Sequence, residues 1–132
     1  MATKKVNRIY SDIDLNFTAH PVTGDLAVKY DVNAVKQSLK TLLLTQYYER
    51  PFQPELGSPI YGMLFEPLDV ITANTLKLQI ELLIRNHEPR VVNQSVTVTP
   101  MYDQNAFKVD IFFYVIGLPD PMTYSTILKR RR

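Results

Sequence analysis

The sequence predicts an α+β domain: two main helices packed on an antiparallel β-sheet, with a C-terminal β-hairpin. Three observations carry this. Residues 32–47 and 70–87 repeat apolar side chains at helical spacing. After residue 90 the period changes to two. A chain of 132 residues, 45% hydrophobic and 21% charged, suits one core. Residues 1–132 are therefore read as a single domain, with a polar N-terminal arm (about 1–12) and a basic C-terminal tail (129–132).

In chain order, residues 14–31 read as two short strands around a turn. Leu15 and Phe17 alternate before it, Leu26 and Val28 after it, and Pro21 and Gly24 supply the turn chemistry. Asp31 is read as the N-cap of the first helix. In that helix Val32, Val35, Leu39, Leu42 and Leu43 share a side, and Lys36 and Lys40 turn away. Residues 49–69 hold four prolines and two glycines, which no continuous helix tolerates. Phe52, Leu56, Ile60, Leu64 and Phe65 nevertheless make this stretch too apolar for a solvated linker, so it is expected to pack. Within it, Ser58-Pro59 predicts one helical turn ending near Gly62.

Asp69 is read as the cap of the second helix, which carries two apolar stripes. Ala73, Leu76, Ile80, Leu83 and Ile84 form the main one, and Ile71, Leu78 and Leu82 lie nearly opposite. The first faces a core. The second needs cover, from the proline-rich stretch or from a partner. Next, Val92, Val96 and Val98 alternate with polar residues up to Pro100. Residues 101–106 form a turn, and 107–117 the longest strand, with Phe107, Val109, Ile111 and Phe113 on one face. From Phe112 onward both faces are apolar, which predicts cover on both sides. A last short strand is expected over 122–128.

The chemistry is mostly one of exclusion. There is no cysteine, so disulfides and thiolate metal sites are excluded and a reducing cytoplasm fits. No apolar run approaches the ~20 residues of a membrane span, and the N-terminus lacks the apolar core of a secretory leader. The net charge of +2 conceals an asymmetry: the final four residues are basic, leaving 11 bases against 13 acids elsewhere. With no basic face to accompany it, the tail is read as a solvated end or a clamp on an acidic protein neighbour, not a nucleic-acid site. His20 and His87 stand far apart, without metal-ligand spacing. No phosphate loop, nucleophile elbow or zinc motif occurs. Nothing in the spacing of Asp12, Asp14, Glu49, Glu55, Glu66 and Glu88 selects a catalytic pair. No catalytic, cofactor-binding or metal-ligating residue is expected, and no small-molecule substrate.

One stretch is left, Glu88-Pro89-Arg90, where the helical pattern gives way to the β pattern. Pro89 pushes Glu88 out of the helical region and fixes a sharp exit, leaving Glu88 and Arg90 on one side. They can form a local ion pair, or Arg90 can present a planar fork to a partner's oxygens, positioned by Glu88. The residues alone leave both readings standing.

The order of these features resembles the baseplate wedge proteins of contractile-tailed phages, also called sheath initiators. That family includes the lysozyme-like baseplate subunit of type VI secretion systems. The likeness runs from Asp12 to Ile116 and is greatest to the short single-domain member of T-even-type phages. Its signature is the Glu-Pro-Arg triplet after the second helix, matched by Glu88, Pro89 and Arg90. A Gly-Glu-Arg followed by Pro-x-x-Gly is matched by Glu49, Arg50, Pro54 and Gly57, with Tyr48 where glycine is common. The resemblance implies a structural part of the virion tail baseplate, assembled in the host cytoplasm and seated near the tail tube. It implies docking of the triplet on larger wedge proteins, with Glu49, Arg50, Ile71, Leu78 and Leu82 as a secondary partner surface. It also implies β-strand addition by tail sheath subunits, expected on the edge of the strand carrying Phe107, Val109, Ile111, Phe113 and Val115. The runner-up is a peptidoglycan-degrading enzyme, after the word lysozyme in the family's naming.

Overall fold

The computed structural model describes residues 10–130, so the arm's residues 1–9 and the tail's Arg131 and Arg132 lie outside the described residues. The α+β reading holds, but the strands form two sheets. Strands β1 (Ser11–Ile13) and β2 (Val28–Tyr30) pair antiparallel as a short ribbon. Its turn is where the sequence places it, with Gly24 at φ +74°. Helix α1 (Asp31–Leu44) leaves β2 directly. Tyr30 stands at the cap position, and Asp31 is instead the first residue of the helix. Its own φ is +49°, and its Oδ1 accepts the Tyr10 N–H at 3.1 Å, which ties the chain's beginning to the helix. Gln37, buried on α1, secures the ribbon: its Nε2 donates to the Ile13 carbonyl at 2.6 Å and its Oε1 accepts from Leu15 N.

The expected helix over 32–47 ends early, at Leu44, because the backbone beyond it has other partners. Thr45 turns extended, its carbonyl accepts the Ser58 N–H at 2.9 Å, and Gln46 pairs with Ser58 in a parallel bridge. Gly57 makes this possible. A Cβ there would stand 2.6 Å from the Gln46 carbonyl carbon and the Tyr47 nitrogen, a separation no side chain survives. The single helical turn appears as α2 (Ile60–Met63). The Ser58 hydroxyl donates to the Leu43 carbonyl at 3.0 Å and accepts the Ile60 N–H at 3.4 Å, and Ile60 and Leu64 enter the core. Phe52 and Phe65, expected to pack, are exposed.

Helix α3 (Val70–His87) begins as predicted, with the Asp69 carboxylate accepting the Thr72 N–H at 2.7 Å. Strands β3 (Val91–Met101), β4 (Ala106–Val115) and β5 (Met122–Lys129) form an antiparallel sheet in the order β3-β4-β5. The main stripe of α3 packs against β3, and α1 and α2 pack on α3. On the sheet's inner face Val98, Val109 and Thr126 lie in register, as do Val96, Ile111 and Tyr124. On the outer face Phe112 and Tyr114 stack edge to face at 5.7 Å. The expected cover there is missing: Phe112 and Ile116 are exposed.

Strand order overturns one expectation. Phe107, Val109, Ile111, Phe113 and Val115 lie on the middle strand, whose backbone pairs with β3 on one side and β5 on the other. Their side chains fill the core. Apolar residues report which face of a strand is covered, not which edge is free, so β4 cannot accept an added strand. Among the described residues, the outer edges of this sheet belong to β3 and β5.

Candidate docking site

The Glu88-Pro89-Arg90 turn sits where α3 hands over to β3. Glu88 closes the helix, its N–H reaching the Ile84 carbonyl at 2.9 Å, and Pro89, lacking a donor, stops any further turn. Glu88 is only 3% exposed, and its carboxylate is fully engaged. Arg90 donates Nε to Oε1 at 2.7 Å and Nη2 to Oε2 at 2.9 Å, a two-pronged pairing that suits a planar fork. The Ser38 hydroxyl of α1 donates a short hydrogen bond to Oε2. Burial alone pushes the Glu88 carboxyl up. The Arg90 fork and the Ser38 hydroxyl outweigh it and hold the group below the usual glutamate range.

Arg90 is held from its other side as well. Its guanidinium carbon lies 5.5 Å from the centre of the Tyr10 ring. The Tyr10 hydroxyl donates to the Ile116 carbonyl at 2.8 Å, and the Ile116 N–H donates to the Arg90 carbonyl at 2.9 Å. One turn therefore fastens α1, α3, the start of β3, the end of β4 and the segment before β1. The fork is used inside the chain. What remains for a partner is the 27% exposed rim of the Arg90 side chain and the exposed ring of Pro89.

The other predicted residues fall elsewhere. Glu49 and Arg50 lie in the exposed loop after α1, where the Glu49 carboxylate accepts the Gln46 N–H at 2.9 Å. Arg50 lines a cleft of about 360 Å³ with Asp12, Ser38 and His87. Tyr48 adopts φ +64°, the left-handed region that glycine enters without steric cost. Ile71, Leu78 and Leu82 stand on the outer face of α3, 76%, 63% and 50% exposed, and the proline-rich stretch does not cover them. His20 holds its own turn, Nδ1 accepting from Val22 and Thr23. Among the described residues, no group of three His, Asp or Glu could hold a metal ion.

Sequence reasoning missed Tyr10 and Ser38. Ser38 offered no signal, since one serine on a helix flank is unremarkable until a buried carboxylate faces it. Tyr10 could have been noticed as the lone aromatic of a polar segment.

A sequence model of the baseplate wedge protein gp25 family matches residues 30–118. The baseplate wedge protein gp25 of Enterobacteria phage T4 is 36% identical over 115 residues, covering 87% of this chain and 86% of that protein. The fold is similar to a Geobacter sulfurreducens protein given the provisional name of tail lysozyme. There the TM-score is 0.68 at 20% identity, over 74% of this chain and 89% of that one. It is also similar to a chain of the anti-feeding prophage baseplate, with a TM-score of 0.63 at 21% identity, over 93% and 87% of the two chains.

Proposed function

We infer the role of this chain from one premise: it belongs to the baseplate wedge protein gp25 family. It is a structural component of a phage-type tail baseplate and associates there with other baseplate components. The observation that carries this is the family match over residues 30–118, which contains the Glu88-Pro89-Arg90 turn. The lysozyme name of one neighbour stays with that protein, because likeness at 20% identity carries the fold alone.

The finer roles are our reading, and the geometry supports them. Larger wedge proteins dock on Pro89 and the open rim of Arg90, a surface that the Glu88 carboxylate keeps in place. The apolar stripe Ile71, Leu78 and Leu82 and the Glu49-Arg50 loop extend the contact. Sheath subunits, assembling in the host cytoplasm, add a strand at the edge of β5. Two features favour β5 over β3. Strand β3 carries Pro100 and an irregular register between Val92 and Ser95, both of which blunt an edge. Strand β5 pairs with β4 without interruption from Met122 to Lys129 and contains no proline. Its outer N–H and C=O groups, without a paired strand among the described residues, supply directional bonds to an added strand.

The test uses Ser125→Pro and Thr126→Pro separately. Successive residues point their N–H groups to opposite edges, so one variant loses a bond to β4 and the other only a donor on the free edge. The variant that keeps its hairpin by circular dichroism is expected to form baseplates without sheath. Normally sheathed tails from that variant would refute strand addition at β5.

A further inference from the structure

We propose that the strand added at the edge of β5 is acidic, selected by a lysine-lined groove beside that edge. The proposal rests on the strand-addition reading above and gives the partner a chemistry. The groove, about 430 Å³, lies between the outer face of α1, the segment after β1 and strand β5. Lys29, Lys36 and Lys40 form its polar wall, and Leu15, Leu44 and Tyr124 its apolar floor. Lys36, Lys40 and Leu44 are four residues apart and share one stripe of α1.

The charge balance is one-sided. Lys29 lies 3.5 Å from the Asp14 carboxylate, but no carboxylate among the described residues pairs with Lys36 or Lys40. Glu49, the one acid on the groove's lining, is turned onto its own loop through the Gln46 N–H. The terminal segments supply no acidic side chain. Residues 1–9 contain Lys4, Lys5 and Arg8 and no acid, and residues 129–132 are all basic.

Tyr124 links groove and edge. It lies on the inner face of β5, opposite Ile111 of β4, and its side chain also lines the groove. A strand laid along β5 sends every second side chain to that same face, toward the lysines. Carboxylates there gain pairs that Lys36 and Lys40 lack within the chain, and apolar neighbours cover Leu15 and Leu44. A basic strand meets repulsion in the same place.

The experiment uses the whole chain and two synthetic peptides matched to the eight residues of β5, one alternating valine and glutamate, the other valine and lysine. Fluorescence anisotropy gives affinity, and hydrogen exchange of the β5 amides in the same samples reports strand pairing. The glutamate peptide is expected to bind about tenfold tighter at low salt, with the preference shrinking as salt rises. Lys36→Gln/Lys40→Gln should remove the preference and Lys36→Glu/Lys40→Glu reverse it, with both folds checked by circular dichroism. Equal affinities with β5 amides protected would overturn the acidic-strand proposal and leave strand addition standing. Glutamate-selective binding without β5 protection would overturn strand addition at this edge, and the proposal with it. Failure of both peptides to bind would also overturn the proposal.

Discussion

The Glu88-Arg90 turn and the outer stripe of α3 belong to one helix and its exit, yet they treat their groups in opposite ways. At the turn both carboxylate oxygens of Glu88 are paired, and Arg90 is held by Glu88 and by the Tyr10 ring. On the stripe, Ile71, Leu78 and Leu82 face outward with nothing upon them. The difference teaches that a charged signature can be spent inside the chain while an unremarkable apolar stripe stays open. A buried charge without partners is intolerable in a single chain, whereas exposed apolar area costs little until another surface covers it. The turn therefore builds the surface, and the stripe is surface.

The sharpest way to break this contrast is Arg90→Ala. It leaves a buried carboxylate with one hydroxyl for support, and should lower stability by about 2–4 kcal/mol, read from the urea midpoint. A loss within measurement error would return Arg90 to the role of a surface fork. Glu88→Gln comes next. It keeps shape and a hydrogen-bonding group while losing charge, and should cost about 1–2 kcal/mol at neutral pH. It also tests the acid limb. Glu88 is held below its usual value of 4.5, so its contribution is present above that pH and fades as pH falls through the depressed folded value. Wild type should lose stability over that window, and the Gln variant should lose less. The smallest effect belongs to the stripe. Ile71→Ser/Leu78→Ser/Leu82→Ser should shift the isolated chain by no more than about 1 kcal/mol. Co-purification with larger wedge proteins should nevertheless fail. A marked drop in thermal midpoint would mean that the stripe serves this chain's own core.

Much of the fold was legible because it is local. The cap at Asp69, the stop at Pro89 and the apolar period between them place α3 at 70–87, as found. Helix α1 ran short of its periodicity because Ser58, thirteen positions beyond Thr45, pairs with the backbone at Thr45–Gln46, an approach that Gly57 permits. Strand order was not legible. Residues 107–115 announce one apolar face, and two from Phe112 onward, and that pattern is the same for a middle strand and an exposed edge under cover. The site was half legible. The spacing of Glu88 and Arg90 put them on one side, but Ser38 stands fifty residues from Glu88 and nothing local joins them.

The hydroxyl of Tyr10 reaches the carbonyl of Ile116 across 106 positions of sequence. The ribbon can settle on α1 through Gln37, but the Tyr10 hydroxyl has no acceptor until β4 has been made. Closure of so long a loop comes late in folding, after the local helices have formed. The beginning of the chain is thereby a lock turned last, and any product ending before residue 116 leaves Tyr10 without its acceptor. The Tyr10 brace over Arg90 and the making of β4 become linked events, so a subunit cut before residue 116 lacks one support of the turn.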